Sequence, residues 1–230
     1  MLNDIAHRRP LLRFALFLVC AILILLAFNT LYAFTSTLNR LDTVELERDQ
    51  WQRPLDIIRA LDLQPGNTVV DLGSGAGYFA LKLSPAVGER GQVLAVDLRR
   101  LSLIFLWTRA LLGGQRNIHV IVDEEDNPRL PIGSVDAVLI CNTYHEFSSP
   151  EPVLNRVFRS LRPGGRLVVV DRTARAGEAQ RAHEVLLKIV EGQLRNHGFE
   201  ILCRDESFID RPGEDVWWLA IARKPSGISK

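Results

Sequence analysis

At 230 residues the chain is long enough for one domain with a sizeable core plus a short extra segment. A hydrophobic content of 47% argues against disorder as the main state, and a net charge of +1 with scattered Lys and Arg leaves no basic footprint for nucleic acid. Of three cysteines, Cys20 sits in an apolar run and Cys141 and Cys203 share no CxxC spacing. That excludes a disulfide framework and a zinc site, and Cys141 and Cys203 read as small buried apolar residues.

The first element is the apolar run. His7, Arg8, Arg9 and Arg13 lie in a basic flank over 1–13. Every residue from Phe14 to Phe28 is apolar, Asn29 and Thr30 interrupt, and LYAF carries the run to Phe34. At about 1.5 Å per residue the stretch 14–34 is roughly 30 Å long as a helix, enough to cross a bilayer core. An uncleaved anchor is the preferred reading over a cleaved signal, since a cleavable signal has a shorter apolar core and small residues at its cut, and Leu31 stands two places before Ala33. Residues 35–54 are polar and amphipathic and end at Pro54.

Beyond Pro54, strand-like and helix-like segments alternate. LDIIRALDL predicts a short helix stopped by the turn PGN at 65–67. TVVDLG (68–73) is a first strand entering a glycine turn, and AGYFALKLSPAVG a helix ending near Pro85 and Gly88. QVLAVDL (92–98) is the second strand, followed by a helix closed by Gly113 and Gly114. Within that helix LSLIFLW is apolar nearly all round; core packing is the default, and a membrane or protein contact the sharper alternative. NIHVIV (117–122) and SVDAVLICN (134–142) are the third and fourth strands. A helix from SPEP to Pro163 leads to the fifth strand, GRLVVVD (165–171), and AQRAHEVLLKIVEGQLRNHGF predicts the longest helix. FEILCRDESF and DVWWLAIARK, joined by IDRPGE, form a hairpin. The near-continuous apolar strands fit a sheet covered on both faces. The fold class is therefore α/β: a doubly wound, mostly parallel seven-stranded sheet with a C-terminal antiparallel hairpin, preceded by a transmembrane helix.

The chemistry centres on VVDLGSGAGYFAL. Asp71 ends the first strand, and Gly73, Gly75 and Gly77 follow at every second position. A dinucleotide fingerprint starting at Gly73 needs glycine at 78, where this chain has Tyr78, and no GxxxxGK[ST] is present. Asp97 ends the second strand, where a carboxylate accepts hydrogen bonds from both hydroxyls of a ribose.

These pieces together resemble a class I S-adenosylmethionine-dependent methyltransferase, from about Arg53 to Lys224. The resemblance rests on WQRP (51–54), LQPGNTVVDLGSGAGYFALKL, VLAVDL, NPRLP (127–131), SVDAVLICNTYHEF and LRPGGRLVVVD, and the chain is similar to a bacterial subgroup that often carries an N-terminal signal or anchor. The resemblance implies S-adenosyl-L-methionine as cofactor, with the loop Asp71, Gly73, Ser74, Gly75, Gly77 and Tyr78 beside its methionine part. It implies Asp97 and Leu98 at the ribose, Glu124 and Glu125 (in the turn 123–126) at the adenine, and Asn142 and Thr143 near the transferred methyl. The expected organisation is a basic flank over 1–13, an anchor (or signal) helix over 14–34, a linker or amphipathic helix over 35–54, the methyltransferase domain over 55–225 and a tail over 226–230.

In an open α/β sheet, ligands bind outside the carboxyl ends of the strands, where Asn142, Tyr144, His145, Glu146 and Asp171 fall. His145 or Glu146 is the candidate catalytic base; the bland alternative is that both shape the pocket wall. His119, His183 and His197 read as structural, and no clustered metal ligands are expected. The expected activity is methyl transfer to a small-molecule, lipid or membrane-proximal acceptor, with a non-catalytic cofactor-binding or scaffolding module as the alternative. The charge flanks put the N-terminus in the cytoplasm and the domain outside, whereas a cytosolic cofactor places the domain inside.

Overall fold

The computed structural model describes residues 2–124, 128–173 and 183–227. The chain divides into two units, Met1–Leu46 and Glu47–Lys230.

The first unit is helical. Helix α1 runs without a break over Leu2–Trp51, so the stretch after residue 34 continues the apolar helix. It is long and apolar enough to cross a membrane by length and composition. Phe17, Ile24 and Phe28 are exposed, as expected of side chains with no protein core to enter. The polar interruption is satisfied inside the helix: Asn29 Nδ2 donates to the Leu25 carbonyl (2.9 Å) and Thr30 Oγ1 to that of Ala27 (2.8 Å). Each side chain returns one donor to the helix backbone, which lowers the cost of a polar group in an apolar medium.

The second unit begins with the last turn of α1. Arg53 then adopts a left-handed backbone (φ 54°), and Pro54 opens α2 (Pro54–Ala60) at the position where a missing N–H costs nothing. The sheet follows: β1 (Thr68–Leu72), α3 (Tyr78–Val87), β2 (Gln92–Asp97), α4 (Arg100–Leu112), β3 (Ile118–Val122), β4 (Val135–Cys141), α5 (Pro150–Ser160), β5 (Leu161–Thr173), α6 (Leu187–Asn196), β6 (Glu200–Asp210) and β7 (Val216–Arg223). Its order is β3-β2-β1-β4-β5-β7-β6. The five neighbours from β3 to β5 are parallel, and β7 inserts antiparallel between β5 and β6.

Alternation along each strand sorts side chains onto two cores. Val69 joins Ile57, Phe79, Leu83 and Leu106 on the face of α2, α3 and α4; Val70 joins Val153, Leu154, Val157 and Leu194 on the face of α5 and α6. Both faces are covered, which is why the strands read as continuous apolar runs. The order reverses between β1 and β4, and that reversal opens the crevice in which this class of sheet binds ligands.

Three expectations change. The helix predicted over 179–199 is only Leu187–Asn196 where described; Val185 is instead bonded to two strands of the sheet, its N–H donating to the Arg172 carbonyl and its own carbonyl accepting from Trp218 Nε1 (2.9 and 2.7 Å). The longest helix is α1, and in the second unit α4. Cys203 is exposed rather than buried, because β6 is the edge strand. The helix predicted to reach Pro163 stops at Ser160, since Leu161 already pairs with Val135. Apolar α4 divides cleanly: Leu103, Leu106 and Ala110 face the core, while Leu101, Ile104, Trp107 and Leu111, spaced by three or four, are exposed.

Candidate active site

The glycine loop leaves β1 at Asp71 and turns three times through left-handed backbone, at Gly73 (φ 81°), Gly75 (φ 53°) and Gly77 (φ 99°). Gly73 and Gly77 are also packed: a Cβ at Gly73 would run into the Thr143 side chain, and one at Gly77 into Leu106. Gly75 faces open space. Two glycines therefore let the loop sit tightly on its neighbours, and the third keeps a path clear for a ligand.

Asp97 ties the loop to the next strand. Its carboxylate, buried at the end of β2, accepts from the Gly75 N–H (2.7 Å) and from the Arg99 N–H (2.8 Å), with Arg99 Nε at 3.3 Å. The turn after β3 is held to the same point, because the Asp123 N–H donates to the Asp97 carbonyl (3.0 Å). Glu124 is exposed and paired with Arg129. A cleft of about 720 Å³, open mouth included, brings together Gly73, Asp97, Leu98, Glu124, Thr143 and Glu146 from the predicted set, with Leu72, Arg99 and Phe147 beside them. Glu125 lies outside the described residues.

The other predicted residues, Asp71, Ser74, Gly75, Gly77, Tyr78, Asn142 and His145, do not line that cleft. Asp71, 3% exposed, is pushed up to about 7, first by burial and then by the neighbouring Asp97 charge, against a backbone hydrogen bond from Ala80 and the charge of Arg48. Asp71 Oδ2, Ser74 Oγ and Asn142 Oδ1 are buried without a hydrogen-bond partner. Asn142 stands at the end of β4 with φ 57°, its N–H bonded to the Val170 carbonyl. The Tyr78 ring is turned to the last turn of α1: its hydroxyl donates to Asp49 Oδ1 (2.7 Å), and burial pushes its pKa up.

His145 lies in the short 3-10 turn Tyr144–Glu146 after β4. Its Nδ1 is 2.8 Å from Asp171 Oδ1 and its N–H donates to Asp171 Oδ2 (3.1 Å); both side chains are almost fully buried. Nε2 is left 3.9 Å from Glu146 Oε1. Asp171 ends β5 as Asp71 ends β1 and Asp97 ends β2, and that repeated position was the sequence signal for it. Arg48, Asp49 and Arg99 were missed: they are charges on helix ends with no motif around them. Among the described residues no group of His, Cys, Asp and Glu is arranged to hold a metal ion.

The residues present fit S-adenosylmethionine. Asp97 presents a buried carboxylate to the cleft at the end of β2, the open side of Gly75 leaves room for a ligand against the backbone, and among the described residues buried Asp71 Oδ2 and Asn142 Oδ1 have no hydrogen-bond donor, a role that an ammonium could fill. The architecture is that of known enzymes of this kind. A SAM dependent methyltransferase from Aquifex aeolicus superposes with a TM-score of 0.66 at 27% identity, over 82% of this chain and 97% of that one. Haemonchus contortus phosphoethanolamine N-methyltransferase 2, solved with S-adenosyl-L-methionine, shares the fold (TM-score 0.65, 16% identity, 76% of this chain and 53% of that one). Fold and site together define an S-adenosylmethionine-dependent methyltransferase.

Within that class the ubiE/COQ5 methyltransferase family model matches residues 27–191, and the chain belongs to this family. The ubiquinone/menaquinone biosynthesis C-methyltransferase UbiE of Vibrio cholerae is 30% identical over 110 residues, 47% of this chain and 42% of that protein. The protein of the same name from Pseudoalteromonas translucida is 29% identical over 140 residues, 60% of this chain and 52% of that protein. The chain thus spans about half or less of the length of these curated relatives.

Proposed function

We propose that this protein is a membrane-anchored methyltransferase that transfers the methyl group of S-adenosylmethionine to a small-molecule or lipid acceptor presented at the membrane, with His145 as the base that receives the acceptor's proton. One observation carries the catalytic half: buried His145 is held by buried Asp171 through Nδ1, at the mouth of the strands beside a cleft built by the glycine loop and Asp97.

Bound at Asp97 and the glycine loop, the cofactor supplies an activated methyl on a sulfonium. The protein's share is positioning, exclusion of water and proton handling. Asp97 and Leu98 hold the ribose end, the turn at Asp123 and Glu124 the adenine, and Asn142 and Thr143 the wall near the methyl. Asp171 fixes the imidazole with Nδ1 as donor, which leaves Nε2 as the acceptor nitrogen. The relatives' name as C-methyltransferases of quinone biosynthesis favours an acceptor carbon on an apolar ring. Such a carbon sheds a proton as the new C–C bond forms, and that proton goes to Nε2.

Support for the membrane half comes from α1, with its exposed apolar surface and self-satisfied polar residues, and from the stripe Leu101, Ile104, Trp107 and Leu111 on α4, flanked by Arg99 and Arg100. We take α1 as an uncleaved anchor and the α4 stripe as a surface that rests on anionic lipid.

Calorimetry with S-adenosylmethionine, S-adenosylhomocysteine and NAD tests the donor: binding of the first two without the third is expected, and no binding of either overturns the reading. Transfer of labelled methyl into a membrane extract identifies the acceptor, and labelled product in the water-soluble fraction alone would sink the lipid-phase assignment. Reporter fusions at the two ends of the chain fix the side of the domain.

A further inference from the structure

The last turn of α1 carries a guanidinium that no carboxylate binds among the described residues. Arg48 donates through Nε to Gln52 Oε1 (2.7 Å), and its guanidinium carbon lies 3.8 Å from the centre of the Tyr78 ring. Neither contact neutralises it, and among the described residues it has no acidic partner. Its immediate neighbour Asp49 is committed elsewhere, to the Tyr78 hydroxyl (2.7 Å) and Lys82 Nζ (3.0 Å). Gln52, fully buried, carries the same turn onto the end of β4, with Nε2 3.5 Å from Cys141 Sγ.

These contacts fix where Arg48 stands. Tyr78 is the first residue of α3, directly after the glycine loop, and Cys141 ends β4. The Arg48 charge is felt at Asp71, Tyr78 and Cys141 alike, three residues that surround the loop. A half-buried arginine held by stacking and one hydrogen bond keeps its terminal amines for an anion, and the planar fork suits a carboxylate. Other cations beside the loop are occupied: Lys82 by Asp49, Arg99 by Asp97 and Arg109 by the Ala76 carbonyl.

We propose that Arg48 receives the carboxylate of the cofactor's amino-acid end, while the unpartnered Oδ2 of Asp71 accepts its amino group. The inference rests on the reading of the site as one for S-adenosylmethionine, and deepens it. The continuous helix α1 then has a second role, since its final turn supplies a wall of the site.

The test compares two ligands that differ by the amino-acid end. S-adenosylhomocysteine carries it, and 5′-methylthioadenosine does not. With the full chain in detergent micelles, Arg48→Gln is expected to raise the Kd of S-adenosylhomocysteine by about tenfold to a hundredfold. The Kd of 5′-methylthioadenosine stays within about twofold, and Arg48→Lys recovers part of the loss. Equal weakening of both ligands makes Arg48 a structural residue and overturns the proposal, as does no change in either. If the wild-type chain binds neither ligand, the reading of the site falls together with Arg48; if it binds both and the variant behaves identically, only the assignment of Arg48 falls.

Discussion

The two halves of the crevice are built differently. On the β1–β2 side, every element follows from a short stretch of chain: the glycines, their left-handed turns and the acid ending the next strand lie between Asp71 and Arg99, and the loop is bonded within that stretch, Gly75 to Asp97 and Gly73 and Ser74 to the Val96 carbonyl. On the β4–β5–β7 side nothing is local. His145 depends on Asp171, Gln52 meets Cys141, and Trp51 packs on Trp217 with ring centres 5.6 Å apart. A local motif suffices for the first half. The second half exists only after distant segments are brought together.

If the halves divide the work between donor and acceptor, single substitutions should separate binding from turnover. The largest effect is expected at His145. His145→Gln should lower kcat by about a hundredfold to ten-thousandfold with the Kd of S-adenosylhomocysteine unchanged; a kcat within a few fold of wild type would reduce the residue to a wall. Next comes the donor half. Asp97→Asn removes a charged acceptor and should weaken S-adenosylhomocysteine by about a hundredfold, roughly 3 kcal/mol. Calorimetry reads it, and intact affinity would move the ribose elsewhere.

A smaller effect is expected from pH. The carboxyl of Asp71 is raised from 3.8 to about 7 by burial, so its contribution to the unliganded fold is complete below pH 4 and is lost as the pH rises through about 7. An ammonium from the cofactor stabilises the ionised form. Affinity for S-adenosylhomocysteine should therefore fall as the pH drops below 7, by up to about tenfold per unit, while 5′-methylthioadenosine is indifferent. A flat profile for both would detach Asp71 from the amino end. The smallest signal is optical. In anionic vesicles with brominated acyl chains, part of the tryptophan emission should be quenched, and in a Trp51→Phe background, which removes the half-buried tryptophan at the end of α1, Trp107→Phe should abolish that part, since Trp217 and Trp218 are buried. Quenching that survives the substitution argues against α4 as the membrane-facing surface.

Much was legible before folding. The strand and helix alternation, the closing hairpin, the apolar N-terminal run and the residues Gly73, Gly75, Gly77 and Asp97 follow from periodicity and from glycine's access to positive φ. Glu146, expected from the rule that ligands gather at strand ends, and Thr143, implied by the family resemblance, both line the cleft. Tyr78 shows the limit: the motif put it beside the cofactor, yet its side chain is held by Asp49, twenty-nine positions earlier in the chain. The helix expected over 179–199 is shorter because Val185 finds a backbone partner in Arg172, which no local propensity reveals.

The sequence by itself determined the class of fold and the donor, because both are written in short-range patterns: a period of two, a period near 3.6, and a loop whose every second residue lacks a Cβ. Only the tertiary structure decided which charges are left over. Burial raises Asp71, Asp171 claims one nitrogen of His145, and Asp49 takes Lys82 while Arg48 has no acidic partner among the described residues. Those outcomes depend on distances between residues far apart in the chain, since an ionic or hydrogen-bonding group is satisfied by what lies within about 3 Å of it and not by its neighbours in sequence.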